Sequence, residues 1–193
     1  PPLCGGCGAK VGATALRAAL AGLPTSPRPD VQVPPGDDAA TLRMGDITQV
    51  ISTDHLRALV DDPGLMARIA LQHALGDIWA MGTHPQAALA QVTLPRMSPD
   101  LAARSLREIT AAATDVLQDA GAALAGGHSS LGAELCIGFT VTGLCSGSPI
   151  TLAGARPGDA LILTKPIGTG VLLAGDMAGC ADGDWIAEAL RHM

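Results

Sequence analysis

"DPGLMARIALQHALGDIWAMG", residues 62–82, predicts a helix whose two ends are both marked in the sequence. Asp62 is a preferred N-cap residue, and Pro63 is tolerated at the first helical position because that position has no intrahelical N–H partner to lose. Gly82 follows the last apolar residues and is a typical helix stop. A long, largely apolar helix of this kind must be covered by other elements, so it indicates the centre of a domain.

One carboxylate, Asp77, interrupts the apolar pattern of this helix, next to Ala74, Ile78 and Met81. A charge on an apolar face is costly unless it is paired or binds a metal ion, so we favour a functional role over a structural one. His73 lies four residues earlier on the same helical face. It is better interpreted as a hydrogen-bond partner or a packed side chain than as a metal ligand.

Strands and a second helix flank the central helix, without a strict β-α-β alternation. Pro99 follows the N-cap candidate Ser98 and begins that second helix, which the glycine at 121 ends. The predicted strands are 47–54, 87–94, a short buried strand that starts at 122 and breaks into a Gly-rich turn by 130, and 134–144. This mixture favours an α+β fold over a doubly wound sheet.

The remaining segments predict three regions. Residues 1–29 hold a flexible Gly-rich stretch and a first helix at 13–23, and the Pro-rich residues 25–36 predict a loop. Residues 30–146 form the main domain. Residues 147–193 begin with a linker and then a new strand–loop–helix unit at 160–171, and we interpret them as the truncated start of a second domain.

Composition disfavours several classes of function. The net charge is −6 and aromatic residues make up 2 % of the 193 residues, which disfavours nucleic-acid binding but is compatible with Mg²⁺-bound nucleotides. Five scattered cysteines are not a disulfide framework and favour a reducing cytoplasm. The sequence shows no export signal and no apolar run of about 18 residues that would predict a membrane span.

Acidic residues and glycines mark three further candidate positions. Asp37 and Asp38 stand side by side after a glycine, so one of them is expected to face a site, where carboxylate oxygens suit Mg²⁺; a solvated turn is the alternative. Asp54 is expected at the end of its strand, either as a ligand or as a cap. The stretch "AGGHSS", residues 125–130, would let backbone N–H groups approach an anion, although Gly-Gly turns are common.

The opening stretch "CGGCGAK", residues 4–10, has three interpretations. A zinc site is disfavoured because the other cysteines provide no second close pair, and a redox pair is disfavoured because no helix starts directly at the motif. The third interpretation is a thiol whose pKa is lowered by Lys10 and a bound metal, with Lys10 meeting a phosphate.

Taken in order, these motifs resemble the selenophosphate synthetase (selenide, water dikinase) family. The family lies in a superfamily with aminoimidazole ribonucleotide synthetase, thiamine-phosphate kinase and a hydrogenase maturation protein. The resemblance covers nearly the whole chain and rests on "GCGAK", "GDDAA", "STD", "RIALQHALGDIWAMG", "ALAGGHS" and "LTKPIGTGV". The acidic motifs would fit any superfamily member, whereas the cysteine-containing opening narrows the choice to the selenium enzyme.

The resemblance implies an ATP- and Mg²⁺-dependent enzyme that makes selenophosphate, AMP and phosphate from selenide, ATP and water. It implies the following roles: catalytic, Cys7 and Lys10; Mg²⁺ ligands, Asp38 and Asp77; ATP contacts, Lys10, Asp37, Asp54, Asp77, Gly127, His128 and Ser129. Phosphoryl transfer depends mainly on positioning and charge neutralisation, which a carboxylate–Mg²⁺ site and a mobile lid carrying Cys7 would supply.

The resemblance also implies a homodimer in which two sheets pair into a barrel, and in some members an N-terminal fusion to an oxidoreductase-like domain. The chain departs from the family pattern at Ala9, where many members have a second cysteine, and at His73, where we expect Asn. A further metal-binding aspartate belongs to the part of the second domain that the chain does not reach. Two alternatives remain: another kinase or synthetase of the superfamily, and a non-catalytic nucleotide-binding dimerisation module.

Overall fold

The structure is a computed structural model that describes residues 10–23, 28–32, 37–145 and 147–193. The described residues form two compact units, one within residues 30–160 and one within residues 1–29 and 161–193. The helices are α1 (Ala13–Leu20), α2 (Pro63–Ala80), α3 (Pro99–Asp119), α4 (Thr169–Met177) and α5 (Gly183–Arg191). No helix in these ranges is both long enough and apolar enough to cross a membrane.

The larger unit is built on a six-stranded mixed sheet, which confirms the α+β class. Its strands are β1 (Val31–Gln32), β2 (Ala40–Met44), β3 (Ile47–Arg57), β4 (His84–Pro95), β5 (Ala123–Gly132) and β6 (Cys136–Cys145). The spatial order is β1-β2-β3-β6-β4-β5. The β4–β5 pair is parallel and the other pairs are antiparallel. The late strand β6 is therefore inserted between β3 and β4.

Local signals set the start and end of both long helices, as predicted. The Asp62 side chain accepts a hydrogen bond from the Leu65 N–H at 2.8 Å, and Ser98 caps α3 by accepting one from the Leu101 N–H at 3.3 Å. Gly82 and Gly121 follow the helices with φ of +68° and +71°, a conformation that favours glycine.

Both long helices pack on one face of the sheet, α2 against β3, β6 and β4, and α3 against β4 and β5. The core is aliphatic apart from Phe139, which is fully buried. α2 lies close to β6 because Gly143 has no side chain: a Cβ there would stand 2.5 Å from Ile78 Cγ2 and 2.9 Å from the His84 carbonyl oxygen. The helix that carries Asp77 is thus fixed tightly against the sheet.

The predicted Gly-rich turn after a short buried strand is wrong. Residues 123–132 form one continuous strand, most of whose residues are exposed. Gly127 lets β5 lie directly against β4, since a Cβ at this position would stand 2.2 Å from the Ala90 carbonyl oxygen. A bulge opposite Ala88 and Leu89 takes up one extra residue of β5. The glycines of this segment therefore allow β5 to pair closely with β4 and do not form a turn.

The smaller unit contains α1, α4 and α5, with Leu173, Ile186 and Ala189 buried. The strand predicted at the start of the segment 160–171 is not formed. Leu161 and Ile162 are instead strongly exposed, and no strand among the described residues pairs with them. The helix of that predicted unit is present as α4, which follows Gly168 with φ of +109°.

Candidate functional site

The alternation of β3 directs one set of its side chains toward α2. Val50, Ser52 and Leu56 are buried, whereas Thr53 and His55 between them are exposed. Asp54 is half-buried on the same face and lies opposite Phe139 of β6. The strand continues to Arg57, so the prediction that Asp54 ends its strand is wrong, and the carboxylate instead projects from within it.

Two polar side chains of α2, one turn apart, contact this set of β3 residues. Ser52 Oγ donates a hydrogen bond to Asp77 Oδ2 at 2.5 Å. His73 Nε2 lies 3.3 Å from Asp54 Oδ2. His73 Nε2 is buried and is not aligned for a hydrogen bond with any described group, so this approach is a close contact of a ring nitrogen with a carboxylate. The two elements thus bring Asp54 and Asp77 to the same place.

The charges of Asp54 and Asp38 act on Asp77, and we call these three residues the carboxylate cluster. Burial raises the pKa of Asp77 above its ordinary value of 3.8, and the nearby charges of Asp54 and Asp38 raise it further. The Ser52 hydrogen bond and His73 act in the opposite direction. The cluster therefore carries an electrostatic cost that a bound cation would relieve.

The adjacent residues Asp37 and Asp38 have different surroundings. Asp37 Oδ1 accepts a hydrogen bond from the Leu152 N–H at 2.8 Å and so ties the start of the sheet to the 3₁₀ turn Leu152–Gly154. Asp38 is exposed, and its charge acts on Asp77. Asp37 is thus engaged by the turn, whereas Asp38 is the more exposed of the two carboxylates.

The donor set fits a cation shared with a substrate better than a closed cage. Within residues 10–23, 28–32, 37–145 and 147–193, no three His, Cys, Asp or Glu side chains stand close enough to hold a metal ion by themselves. Mg²⁺ is commonly bound by one or two carboxylates, with waters and phosphate oxygens completing its shell. Asp38 and Asp77 match that requirement.

The other predicted site residues are not beside this cluster. Gly127, His128 and Ser129 lie on β5, which β6 and β4 separate from β3, a distance of about 14 Å across the sheet. A cleft of about 430 Å³ lies between this strand and α3 and is bordered by Leu106 and Thr110. A ligand that contacts both the carboxylate cluster and this part of β5 must therefore be long enough to cross the sheet, or it must lie between two protein surfaces.

The opening motif is only partly described. Lys10 is exposed and belongs to the smaller unit, and Cys7 lies outside the described residues. A cavity of about 530 Å³ lies beside Ala58 and Val60, just after the end of β3, and none of the three carboxylates of the cluster lines it.

Sequence reasoning missed Ser52. The available signal was its place two residues before Asp54, which in a strand puts both side chains on one face. A serine in a strand is otherwise ordinary, and its partner on α2 becomes visible only when the two elements are packed.

Comparison with known proteins identifies the relatives of the chain. Residues 36–145 match the family described as AIR synthase related protein, N-terminal domain. The chain is 41 % identical to the selenide, water dikinase of Desulfitobacterium hafniense (strain Y51), which covers 98 % of the chain and 56 % of the relative. It is 39 % identical to that of Geobacter metallireducens, over 97 % of the chain and 56 % of the relative. The chain spans just over half the length of these curated relatives.

Solved structures with the same fold include a protein called tt0281 from Thermus thermophilus, with a TM-score of 0.60, 26 % identity and coverage of 72 % of this chain and 45 % of that one. Another is AaThiL complexed with AMPPCP and TMP, with a TM-score of 0.56, 21 % identity and coverage of 63 % and 40 %. Fold and sequence agree: the chain belongs to the selenide, water dikinase family, whose N-terminal domain has the AIR synthase-related fold.

Proposed function

We propose that the chain carries the nucleotide- and metal-binding part of a selenide, water dikinase, which converts selenide, ATP and water into selenophosphate, AMP and phosphate. The observation that carries this proposal is the identity of about 40 % with curated selenide, water dikinases over nearly the whole chain. The carboxylate cluster at Asp77 is consistent with it, because phosphoryl transfer requires neutralised phosphate charge.

We propose Asp38 and Asp77 as Mg²⁺ ligands. Two facts support this assignment: the charge of Asp38 acts on Asp77, and Asp38 is exposed to solvent. Mg²⁺ bound there would supply charge neutralisation at the phosphates of ATP. The protein's own contribution is to hold Asp77 on α2, which packs closely against β6 at Gly143. Asp38 lies in the bend directly before β2.

We propose Asp37, Asp54, Asp77, Lys10 and the β5 residues 127–129 as ATP contacts. Asp37 already accepts the Leu152 N–H, so it would act on the nucleotide through its second oxygen or by fixing the turn at Leu152. The triphosphate would lie near the cluster at Asp77. The glycines of β5 offer a strand surface without side chains on the side of α3.

We propose Cys7 and Lys10 as the catalytic pair, with the glycine-rich opening acting as a lid, and we expect a cytoplasmic enzyme. A thiolate near a cation is a suitable group to handle selenide, because both are soft and easily oxidised. Lys10 is exposed, so a phosphate can approach its ammonium group from solvent.

The test is phosphorus NMR under anaerobic conditions with ATP, Mg²⁺ and selenide. It is run on the chain and on any longer natural polypeptide that contains it, in parallel with Cys7→Ser. We expect a selenophosphate signal together with AMP, and we expect the Cys7→Ser variant to lose it. Nucleotide hydrolysis without selenophosphate, unchanged in Cys7→Ser, would instead indicate another kinase of the family. Nucleotide binding without any turnover would indicate a non-catalytic module.

A further inference from the structure

Ser52 makes the shortest polar contact of the carboxylate cluster. Its Oγ stands 2.5 Å from Asp77 Oδ2 and 3.4 Å from the Asp38 carbonyl oxygen. A hydroxyl has one proton to donate, and the shorter contact with an ionised acceptor is much the stronger of the two. The proton of Ser52 is therefore committed to Asp77.

Apart from the long contact with the Asp38 carbonyl oxygen, the surroundings of Ser52 give no other reason for a hydroxyl. Ser52 is 9 % exposed and lies in an interface where Val50, Ala74 and Ile78 are fully buried. An aliphatic residue would suit both a strand and this core better, since a buried hydroxyl is favourable only when it is hydrogen-bonded. A serine at position 52 is thus acceptable in the core because Asp77 accepts its hydrogen bond.

The contact also restricts Asp77. Carboxylate groups rotate easily about their last torsion, and a hydrogen bond to one oxygen fixes the plane of the group. Oδ2 is held by Ser52, whereas Oδ1 accepts no hydrogen bond from the part of the chain that the structure describes. One oxygen is anchored and the other remains available.

We propose that Ser52 is a positioning residue for metal binding: it anchors Asp77 Oδ2 so that Oδ1 is presented to a divalent cation shared with Asp38. The inference rests on the proposed function in one respect, because it takes Asp77 to be a metal ligand. It assigns to β3 a role in the metal site that is separate from the nucleotide contact proposed for Asp54.

The experiment measures Mn²⁺ binding by electron paramagnetic resonance, in which free and bound Mn²⁺ are distinguished directly. It compares the unmodified chain with Ser52→Ala, Ser52→Thr, Asp77→Asn and Thr83→Val. Thr83 is the matched control: it is 3 % exposed, and its hydroxyl donates to the carbonyl of Ile78 on α2 at 2.7 Å, with no hydrogen bond to a carboxylate among the described residues. Circular dichroism confirms that each variant is folded.

We expect Ser52→Ala to weaken Mn²⁺ binding about 10–100-fold, the range typical of groups that orient a metal ligand. Ser52→Thr should restore most of the affinity because it keeps the hydroxyl. Thr83→Val should bind as the unmodified chain does, and adding Ser52→Ala to Asp77→Asn should cause no further loss.

Unchanged affinity in folded Ser52→Ala would overturn the proposal, and so would equal losses in Ser52→Ala and Thr83→Val. Unchanged affinity in Asp77→Asn would also overturn it, because Asp77 would then not be a ligand. None of these binding measurements requires catalytic turnover. A chain that binds Mn²⁺ as expected but makes no selenophosphate would contradict the proposed reaction and leave the role of Ser52 standing.

Discussion

At the scale of single residues, we expect Asp77 to lower the stability of the metal-free chain at the same position where it would bind a cation. Its pKa is raised by burial and by Asp54 and Asp38, so ionised Asp77 destabilises the folded metal-free chain. Asp77→Asn keeps an oxygen that can accept the Ser52 hydrogen bond but removes the charge. We expect this variant to melt roughly a few degrees higher than the unmodified chain at about pH 8 without divalent metal.

The electrostatic cause also predicts how the difference in melting temperature between Asp77→Asn and the unmodified chain changes with pH. An acid whose pKa is raised by folding favours the folded state at low pH, and this advantage is lost as the pH rises through the folded-state pKa. The gain from Asp77→Asn should therefore shrink as the pH falls toward the ordinary value of 3.8. Thermal melts at several pH values measure it, and a gain that is constant across pH would contradict the electrostatic explanation.

Residues that conflict with their own sequence pattern are the ones that sequence analysis can single out as candidates. Asp77 stands out because it interrupts an apolar helix, and Asp38 because it adjoins a second acid. Ser52, in contrast, does not interrupt any pattern in the sequence around it. The role proposed for it rests on a 2.5 Å contact between β3 and α2, at residues that are 25 positions apart in the sequence.

At the scale of elements, boundaries fixed by local chemistry were predictable and those fixed by neighbours were not. Asp62 and Ser98 cap their helices as expected, because a cap bonds to N–H groups within three residues. The turn expected in β5 is instead a strand, because β4 lies alongside and pairs with it. The apolar residues from 161 onward form no strand in the absence of such a neighbour.

The pairing of β5 with β4 makes a testable prediction. Gly127→Ala would place a Cβ 2.2 Å from the Ala90 carbonyl oxygen, so backbone must move. We expect a loss of about 1–3 kcal/mol in the free energy of unfolding, the usual cost of overpacking. Urea unfolding measures it. Gly147→Ala is the control, since no atom lies within 4 Å of its Cβ position; equal effects of the two changes would contradict the role given to Gly127.

At the scale of the whole molecule, the sheet order could not be predicted from sequence. β6 is the last strand of the sheet along the chain, yet it lies between β3 and β4. Such pairings depend on long-range contacts, whereas the sequence pattern reports only period and burial. The α+β class follows from the mixture of helices and strands along the sequence. Recognition of the family supplied the aminoimidazole ribonucleotide synthetase-like type within that class, since the motifs occur in the family's order.

The face of the sheet opposite α2 and α3 gives the last prediction, which concerns assembly. This face carries Leu89 and Leu144, 47 % and 36 % exposed, among hydrogen-bonded polar side chains such as Thr53 and Thr140. We propose that two copies pair through this face, which would cover it and protect the sheet from unwanted pairing.

Leu89→Lys should therefore convert a dimer into a monomer, because it puts a charge into the buried centre of the paired sheets. Light scattering after size-exclusion chromatography measures the mass directly. Leu101→Lys is the matched control: Leu101 is 48 % exposed but lies on α3, which covers the other face of the sheet. An unmodified chain that is monomeric at micromolar concentration would contradict pairing through this face. A Leu89→Lys variant that stays dimeric, or a loss of the dimer in Leu101→Lys, would place the contact elsewhere on the surface.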